Sequence, residues 1–437
     1  MNIVLKSIKE VCEYIYSFIN LEKNENYNTR TQNIYSLDNV KCLLKYFNNP
    51  EQNQNIIHIA GTKGKGSVSI LISHLLNLLN ITTTTFLSPH LVNINERFLY
   101  NLDSINDKEL ISLTNFIKKI ISKNNLNPTV FELLFILYLL FSKNKKSDYF
   151  VVETGIGGRL DCTNIVDPVI SVITPISIDH TNVLGKTINK ITYEKGGIIK
   201  NNKNVVLGKQ RYISHRILKK IAYRKKSKIY ETNKLFRLLS YKPSENGMIF
   251  DFKFKEIIIK DFFISLLGVH QIYNFFTALQ TVYLIDPEIL NIIRNKGSIN
   301  INIPGRIQIL QKNPLVILDV AHNNDSAKKL KKTLLFHYPG LKWIVLSGMS
   351  IGKDHKNFYK KIKGIIDKLI ITSPSLYKDS FPENVYKQAK ISIKNILFIP
   401  FFDKAFNRAL SFNKPLLITG SFYIAGPFFE KWKRLKI

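Results

Sequence analysis

The sequence predicts an α/β protein built on largely parallel sheets, and three observations predict it. Short β-rich apolar runs alternate with helical ones along most of the chain, as strand–helix–strand units require. A glycine-rich turn, Gly61-Thr62-Lys63-Gly64-Lys65-Gly66-Ser67, joins a strand-like run to a helical one. A second alternating series begins after Pro304-Gly305, which divides the chain in two. With 437 residues, 45% of them hydrophobic, there is apolar material for both cores.

In chain order, Ile56 to Ala60 reads as a strand. Ser67 to Leu79 reads as a helix, because Val68, Leu71, Ile72, Leu75, Leu76 and Leu79 fall on one face. Thr83 to Leu87, Tyr149 to Glu153, Val169 to Ile173 and Val205 to Leu207 complete a first, mostly parallel sheet. Asn295 to Ile303 is polar, contains Gly297 and is closed by Pro304, so the boundary falls there. Residues 1–297 then form a P-loop mononucleotide-binding domain and 298–437 a C-terminal Rossmann-like α/β domain. The strands of the second are Leu315 to Asp319, Trp343 to Ser347, Leu369 to Thr372, Ile396 to Ile399 and Leu416 to Thr419.

The formal net charge of +31 raises the question of nucleic acid, since lysine excess neutralises phosphates. The basic residues are dispersed in short groups such as Lys219-Lys220 and Arg224-Lys225-Lys226. They accompany abundant isoleucine, asparagine, phenylalanine and tyrosine, which is what codon bias toward A and T produces. No nucleic-acid partner is therefore expected, although a positive field attracts anionic small substrates. The longest apolar run, Leu133 to Phe141, is too short to cross a membrane. The first residues lack an apolar signal core, and Cys12, Cys42 and Cys162 lack metal-ligand spacing, so a reducing cytoplasm is expected.

A strand, a glycine-rich turn and a helix start make an anion site: backbone N–H groups converge, the helix dipole adds positive potential, and a lysine adds full charge. The spacing differs from G-x-x-x-x-G-K-[ST], because Gly66 intervenes between Lys65 and Ser67. Glu153 ends an apolar strand, where open α/β sheets present their ligands.

The loop is followed by Ser88-Pro89-His90-Leu91, Glu153 to Asp161 (ETGIGGRLD), Asp179-His180-Thr181 and Glu194 to Ile198 (EKGGI). Gly268 to Gln271 (GVHQ) with Asn274, Pro304-Gly305-Arg306, Asp319 to Asn323 (DVAHN) and Gly420 to Tyr423 (GSFY) continue the series. This ordered set resembles the folylpolyglutamate synthase/dihydrofolate synthase family of the Mur ligase superfamily, over nearly the whole chain. The resemblance implies a ligase that phosphorylates a carboxylate with ATP and lets the α-amine of L-glutamate attack the acyl phosphate. Its acceptors would be dihydropteroate and the γ-carboxylate of tetrahydrofolates.

The resemblance also implies the site. Gly64, Lys65, Gly66 and Ser67 would wrap the nucleotide phosphates, and Asn274, Arg306 and Asp319 would contact the nucleotide. Ser88, Glu153 and His180 match magnesium ligands, with two ions implied, and Lys195 matches a lysine that carbon dioxide carbamylates so that it can hold the second. A potassium ion is a further implied cofactor. Thr129, Val130, Phe131 and Glu132 match a substrate segment, in which Phe131 can stack on a flat ring or pack in the core and Glu132 can accept ring N–H donors. Leu160, Asp161 and Cys162 border the same substrate. Catalysis would rest on Lys65, Lys195 and His322, with His322 and Ser421 facing glutamate, in a cleft that closes between two lobes of a monomer.

The chain departs from the family's pattern at Lys63, where asparagine is usual, at Cys162 and Gly196, where alanine is usual, and at Ser36 to Asn39, which lacks a glutamate–arginine pair. Other readings are a monofunctional chain-extending enzyme, a Mur ligase acting on a cell-wall nucleotide precursor, and a basic nucleic-acid-binding ATPase. The last has no helicase motif or aromatic-basic platform in its favour.

Overall fold

A strand covered on both faces needs an uninterrupted apolar run rather than an alternating one. β1 (Ile56–Ala60) is apolar but for His58 and buried at all five positions. The computed structural model describes residues 4–20, 36–373 and 381–435. They fall into two units, Met1–Arg237 with Tyr273–Asn295, and Leu238–Ile272 with Lys296–Ile437.

In the first unit β1 is central to an eight-stranded sheet with β2 (Thr83–Phe86), β3 (Phe98–Tyr100), β4 (Asp103–Ser104), β5 (Tyr149–Glu153), β6 (Ile170–Ile173), β7 (Asn204–Leu207) and β8 (Lys228–Glu231). The order is β4-β3-β2-β5-β1-β6-β7-β8, parallel except at β3 and β4. β1 lies between β5 and β6, with Ile59 opposite Glu153 on one side and Val172 on the other. That register brings the loops after β1, β5 and β6 to one carboxyl edge. The helix Lys65–Leu78 follows β1, and the helix Val130–Lys145 buries Leu133 through Leu139 in a core with Phe86, Phe98 and Phe150.

The second unit carries β9 (Phe236–Ser244), β10 (Gly247–Phe254), β11 (Ile257–Ile264) and β12 (Ser298–Ile299) in the order β12-β11-β10-β9. It also carries a six-stranded sheet of β13 (Gln308–Lys312), β14 (Leu315–Leu318), β15 (Trp343–Ser347), β16 (Ile366–Ile371), β17 (Ile396–Phe398) and β18 (Leu416–Thr419), ordered β13-β14-β18-β15-β16-β17. That sheet is parallel apart from β13 and encloses a core around Trp343, Phe358 and Tyr359.

The α/β class and both parallel series stand as expected. The expected 1–297 and 298–437 division differs from the observed units at 238–272 and at 296–297, which group with the second. The antiparallel β10–β11 pair there was legible in principle: Met248, Phe250, Phe252 and Phe254 alternate with less buried residues at a period of two.

Candidate active site at the carboxyl edge of the first sheet

The turn after β1 is shaped by its glycines. Gly64 has φ of +88° and stands at the N-cap of the helix Lys65–Leu78, so the helix begins two residues before the expected Ser67. A methyl group on Gly64 would lie 2.6 Å from Asn274 Oδ1, so this asparagine is seated against the turn. Pro175 O accepts from both Thr62 N and Lys63 N, which fixes the first half of the loop to the segment after β6. The first intrahelical bond runs from Val68 N to Gly64 O at 2.8 Å. The N–H groups of the first turn, from Lys65 to Ser67, have no intrahelical acceptor by helix geometry and point along the axis toward the turn.

Two lysines stand over this turn. Lys65 Nζ is 3.6 Å from Glu153 Oε1, and Glu153 Oε2 accepts from Ser88 N at 3.2 Å. Lys63 Nζ donates to Asp179 Oδ2 at 2.9 Å, while Asp179 Oδ1 accepts from His180 N at 3.1 Å. The asparagine-to-lysine departure at position 63 thus ties the loop to the backbone of His180, which has φ of +48°. Ser88 and Glu153 are brought together; His180 is joined to the loop through Asp179.

Lys195, on the helix Ile188–Gly196, is 3% exposed and donates from Nζ to Gly61 O at 2.8 Å. Burial, reinforced by the Lys65 charge, pulls its ammonium down to about 7, against the opposing pull of Asp179 and Asp161. A large fraction is therefore neutral amine at neutral pH. Its neighbour Glu194 forks onto Arg159, with Nη2 to Oε1 at 2.9 Å, and accepts Arg159 N at its carbonyl.

The segment 129–132 turns out to be a helix start. Thr129 is the N-cap of the helix Val130–Lys145 and forms a capping box with Glu132. Glu132 is buried, and its carboxylate accepts from Thr129 N, Thr129 Oγ1 and, at both oxygens, Asn39 Nδ2. These internal donors give Glu132 a scaffolding role at the helix start, alongside the ring-acceptor role expected of it. Asn39 occupies a stretch singled out only for lacking an expected pair. Val130 is core. Phe131 is half-buried, 5.6 Å from the Phe86 ring, and a methyl group on Gly155 would come within 2.6 Å of it.

Asp161 gathers its own loop. Its Oδ2 accepts from Ile156 N at 2.8 Å, and its Oδ1 from Thr163 N and Thr163 Oγ1. Burial pushes its carboxyl up, opposed by those hydrogen bonds and by Lys65. Leu160 and Cys162 are half-buried, Cys162 against the first core.

In the second unit, Asp319 follows β14 and ties two turns together: Oδ2 accepts from Ile307 N at 3.1 Å and Oδ1 from Ala321 N at 2.8 Å. Burial raises its carboxyl, countered by the Ala321 hydrogen bond and the Arg306 charge. Arg306 stands 5.1 Å over the Phe422 ring. His322 Nδ1 lies 2.9 Å from Val320 O, and a carbonyl only accepts, so Nδ1 carries a proton. Ser421 is buried and donates to Gly348 O at 2.8 Å.

Magnesium fits this edge in one specific way. Among the described residues no group of three His, Cys, Asp or Glu could hold a metal unaided. Glu153, however, is a buried carboxylate beside the phosphate loop, and magnesium is commonly held by one or two carboxylates with substrate phosphates and waters. No helix among the described residues is long and apolar enough to cross a membrane.

Residues 59–282 match the Mur ligase middle domain and 305–422 the Mur ligase glutamate ligase domain. A dihydrofolate synthase/folylpolyglutamate synthase of Bacillus subtilis is 30% identical over 410 residues, covering 92% of this chain and 95% of that one. A Mycobacterium tuberculosis folylpolyglutamate synthase solved with ADP and AMPPCP superposes with a TM-score of 0.83 at 25% identity, covering 91% of this chain and 95% of the other. A Thermotoga maritima folylpolyglutamate synthase structure gives 0.81 at 27%, covering 98% and 97%.

Proposed function

The chain belongs to the dihydrofolate synthase/folylpolyglutamate synthase family of Mur ligases, and from that premise we propose that it is an ATP-dependent ligase joining L-glutamate to dihydropteroate and to the γ-carboxylate of reduced folates. The observation that carries the reading is the carboxyl edge of the first sheet, where unpaired helix-start amides, Lys65 and the Glu153 carboxylate share one turn.

A carboxylate is a poor electrophile. One of its oxygens takes the γ-phosphoryl group of ATP, ADP leaves, and the acyl phosphate accepts the α-amine of glutamate. Phosphate and the amine proton then depart as the amide forms. The transfer demands positioning and charge stabilisation more than covalent help. The Gly64–Ser67 amides and Lys65 supply donors and charge to the phosphates, and Asn274 is seated against Gly64 beside them. Magnesium, when bound, screens phosphate charge; Glu153 and Ser88 with His180 are its proposed ligands, and Lys195, as its carbamate, those of a second ion. Phe131 is the pterin-stacking candidate, while Thr129 and Glu132 hold its helix start. In the glutamate ligase domain, Asp319 and Arg306 are assigned to the nucleotide and Ser421 to glutamate. His322 Nε2 takes up the amine proton. Potassium, a monomeric state and a cytoplasmic location belong to the same reading and rest on the family alone.

The test is ADP release with dihydropteroate or tetrahydrofolate, each with and without L-glutamate. Turnover that needs both a pterin carboxylate and glutamate supports the ligase. ATPase activity stimulated by RNA or DNA and indifferent to pterins overturns it.

A further inference from the structure

β1 runs directly into the phosphate loop, and one of its five residues is a histidine with no solvent exposure. His58 Nε2 lies 2.8 Å from Thr163 Oγ1. The Thr163 hydroxyl has a single proton, and it is directed to Asp161 Oδ1 at 2.6 Å, a length typical of a charge-assisted bond. Thr163 Oγ1 can therefore only accept from His58, so the ring carries its proton on Nε2. Nδ1 is consequently the deprotonated nitrogen, and it is buried without a hydrogen-bond partner. Burial, with the Lys200 charge, holds the ring neutral by pulling it down to about 3. Protonation would need a second donor site satisfied in a dry core, so the tautomer is fixed across the working pH range.

We propose that His58 is a positioning residue, whose Nε2–H, relayed through the Thr163 hydroxyl, sets the Asp161 carboxylate and with it the 156–163 loop that borders the pterin. The relay is directional. His58 sits on a rigid central strand paired on both sides, whereas the loop it reaches is held by the two oxygens of Asp161 on Ile156 N, Thr163 N and Thr163 Oγ1. Losing the Nε2–H leaves Thr163 Oγ1 one donor short, weakens its bond to Asp161 and lets the loop drift from the register that faces the substrate. The same strand also delivers the phosphate loop, so one element spaces the pterin loop from the nucleotide turn.

This inference rests on the ligase reading for its substrate but can be tested apart from it. His58→Leu removes the donor, His58→Gln supplies an amide N–H, and Thr163→Val removes the relay. Hydrogen exchange over residues 154–166 is expected to quicken in His58→Leu and Thr163→Val and to be restored in His58→Gln. In steady-state kinetics, the pterin KM should rise about tenfold in the first two, with the ATP KM within about twofold, a difference near 1.4 kcal/mol. The double variant should be no worse than the more severe single one, because both break one chain. Unchanged exchange in folded His58→Leu, equal rises in both KM values, or multiplying effects in the double variant would overturn the relay. Should His58→Leu not fold, Thr163→Val alone decides on the same readouts. If the wild type turns over no pterin, the ligase reading has failed, and the exchange experiment still decides the relay.

Discussion

Lys65 Nζ and Glu153 Oε1 stand 3.6 Å apart, both largely shielded from water, at the turn where the phosphate loop becomes a helix. Without nucleotide the two charges neutralise each other. With nucleotide, Lys65 is proposed to take the γ-phosphate and Glu153 a magnesium ion, so the pair holds both groups in place until the phosphates arrive. Lys65→Met is expected to lower kcat for ADP release on the order of a hundredfold. Breaking the pair also leaves the buried Glu153 carboxylate without the Lys65 cation, at a cost on the order of 3 kcal/mol. Denaturant unfolding should therefore show Lys65→Met less stable than the double variant Lys65→Met/Glu153→Gln. A double variant that is the weaker of the two would contradict the pairing.

Lys195 carries a pH dependence whose sign follows from its burial. Its ammonium falls from 10.5 to about 7 on folding. Between those values the unfolded chain holds a proton that the folded chain lacks, so stability rises with pH across that window and the penalty for burying the charge is complete below it. Thermal melts of wild type and Lys195→Met in CO2-free buffer, from about pH 6 to pH 9, should show the difference moving in favour of the wild type as pH rises. A constant difference would mean that Lys195 titrates like an exposed lysine. In the same pH range, added bicarbonate should raise wild-type activity and leave Lys195→Met unaffected.

What the sequence made legible, and what it hid, divides by the range of the interaction. Local signals carried: the strand before Gly61, the glycine turn, and both parallel series follow from patterns within a few residues. Glu153 was legible because it ends an apolar strand beside β1. Partnerships across long separations were not. Nothing at Asn39 announces that it donates to Glu132, 93 residues away, nor at Lys63 that it closes on Asp179, 116 residues away. The capping box was nevertheless readable, since Thr129-x-x-Glu132 precedes an apolar run, and the substrate motif drew attention from it. His58 was hidden by its company, as a lone histidine in an apolar strand gives no sign of its relay.

Gly64 is a position where one methyl group should matter. At φ of +88° an L side chain is strained by about 1–2 kcal/mol, and the new carbon would sit 2.6 Å from Asn274 Oδ1. Gly64→Ala is expected to weaken binding of a non-hydrolysable ATP analogue by about tenfold or more in calorimetry. Gly66→Ala supplies the contrast. Its backbone is ordinary helix and the nearest atom is Glu153 Oε2 at 3.3 Å, so it should be the milder change for stability. Equal losses of stability in the two variants would show that backbone strain at Gly64 is not the cause.

Glu132 separates a scaffold from a substrate contact. The buried carboxylate accepts Thr129 N and Oγ1 at 2.7 and 2.9 Å and Asn39 Nδ2 at 3.0 and 2.9 Å. Replacing one carboxylate oxygen by an amide in Glu132→Gln sets NH2 against donors, so the helix start loses stability. Thr129→Ala, which removes the other half of the box, should cost about 1 kcal/mol. Asn39→Ala should likewise destabilise, by leaving the carboxylate short of a donor. Because Phe131, on the adjacent turn position, is the proposed ring contact, the pterin KM of Glu132→Gln should stay within about threefold of wild type below its melting range. For Phe131→Leu, the pterin KM should rise by more than that, with a smaller loss of stability than a fully buried phenylalanine would give. A Glu132→Gln enzyme that melts like the wild type yet binds pterin poorly would reverse the two assignments.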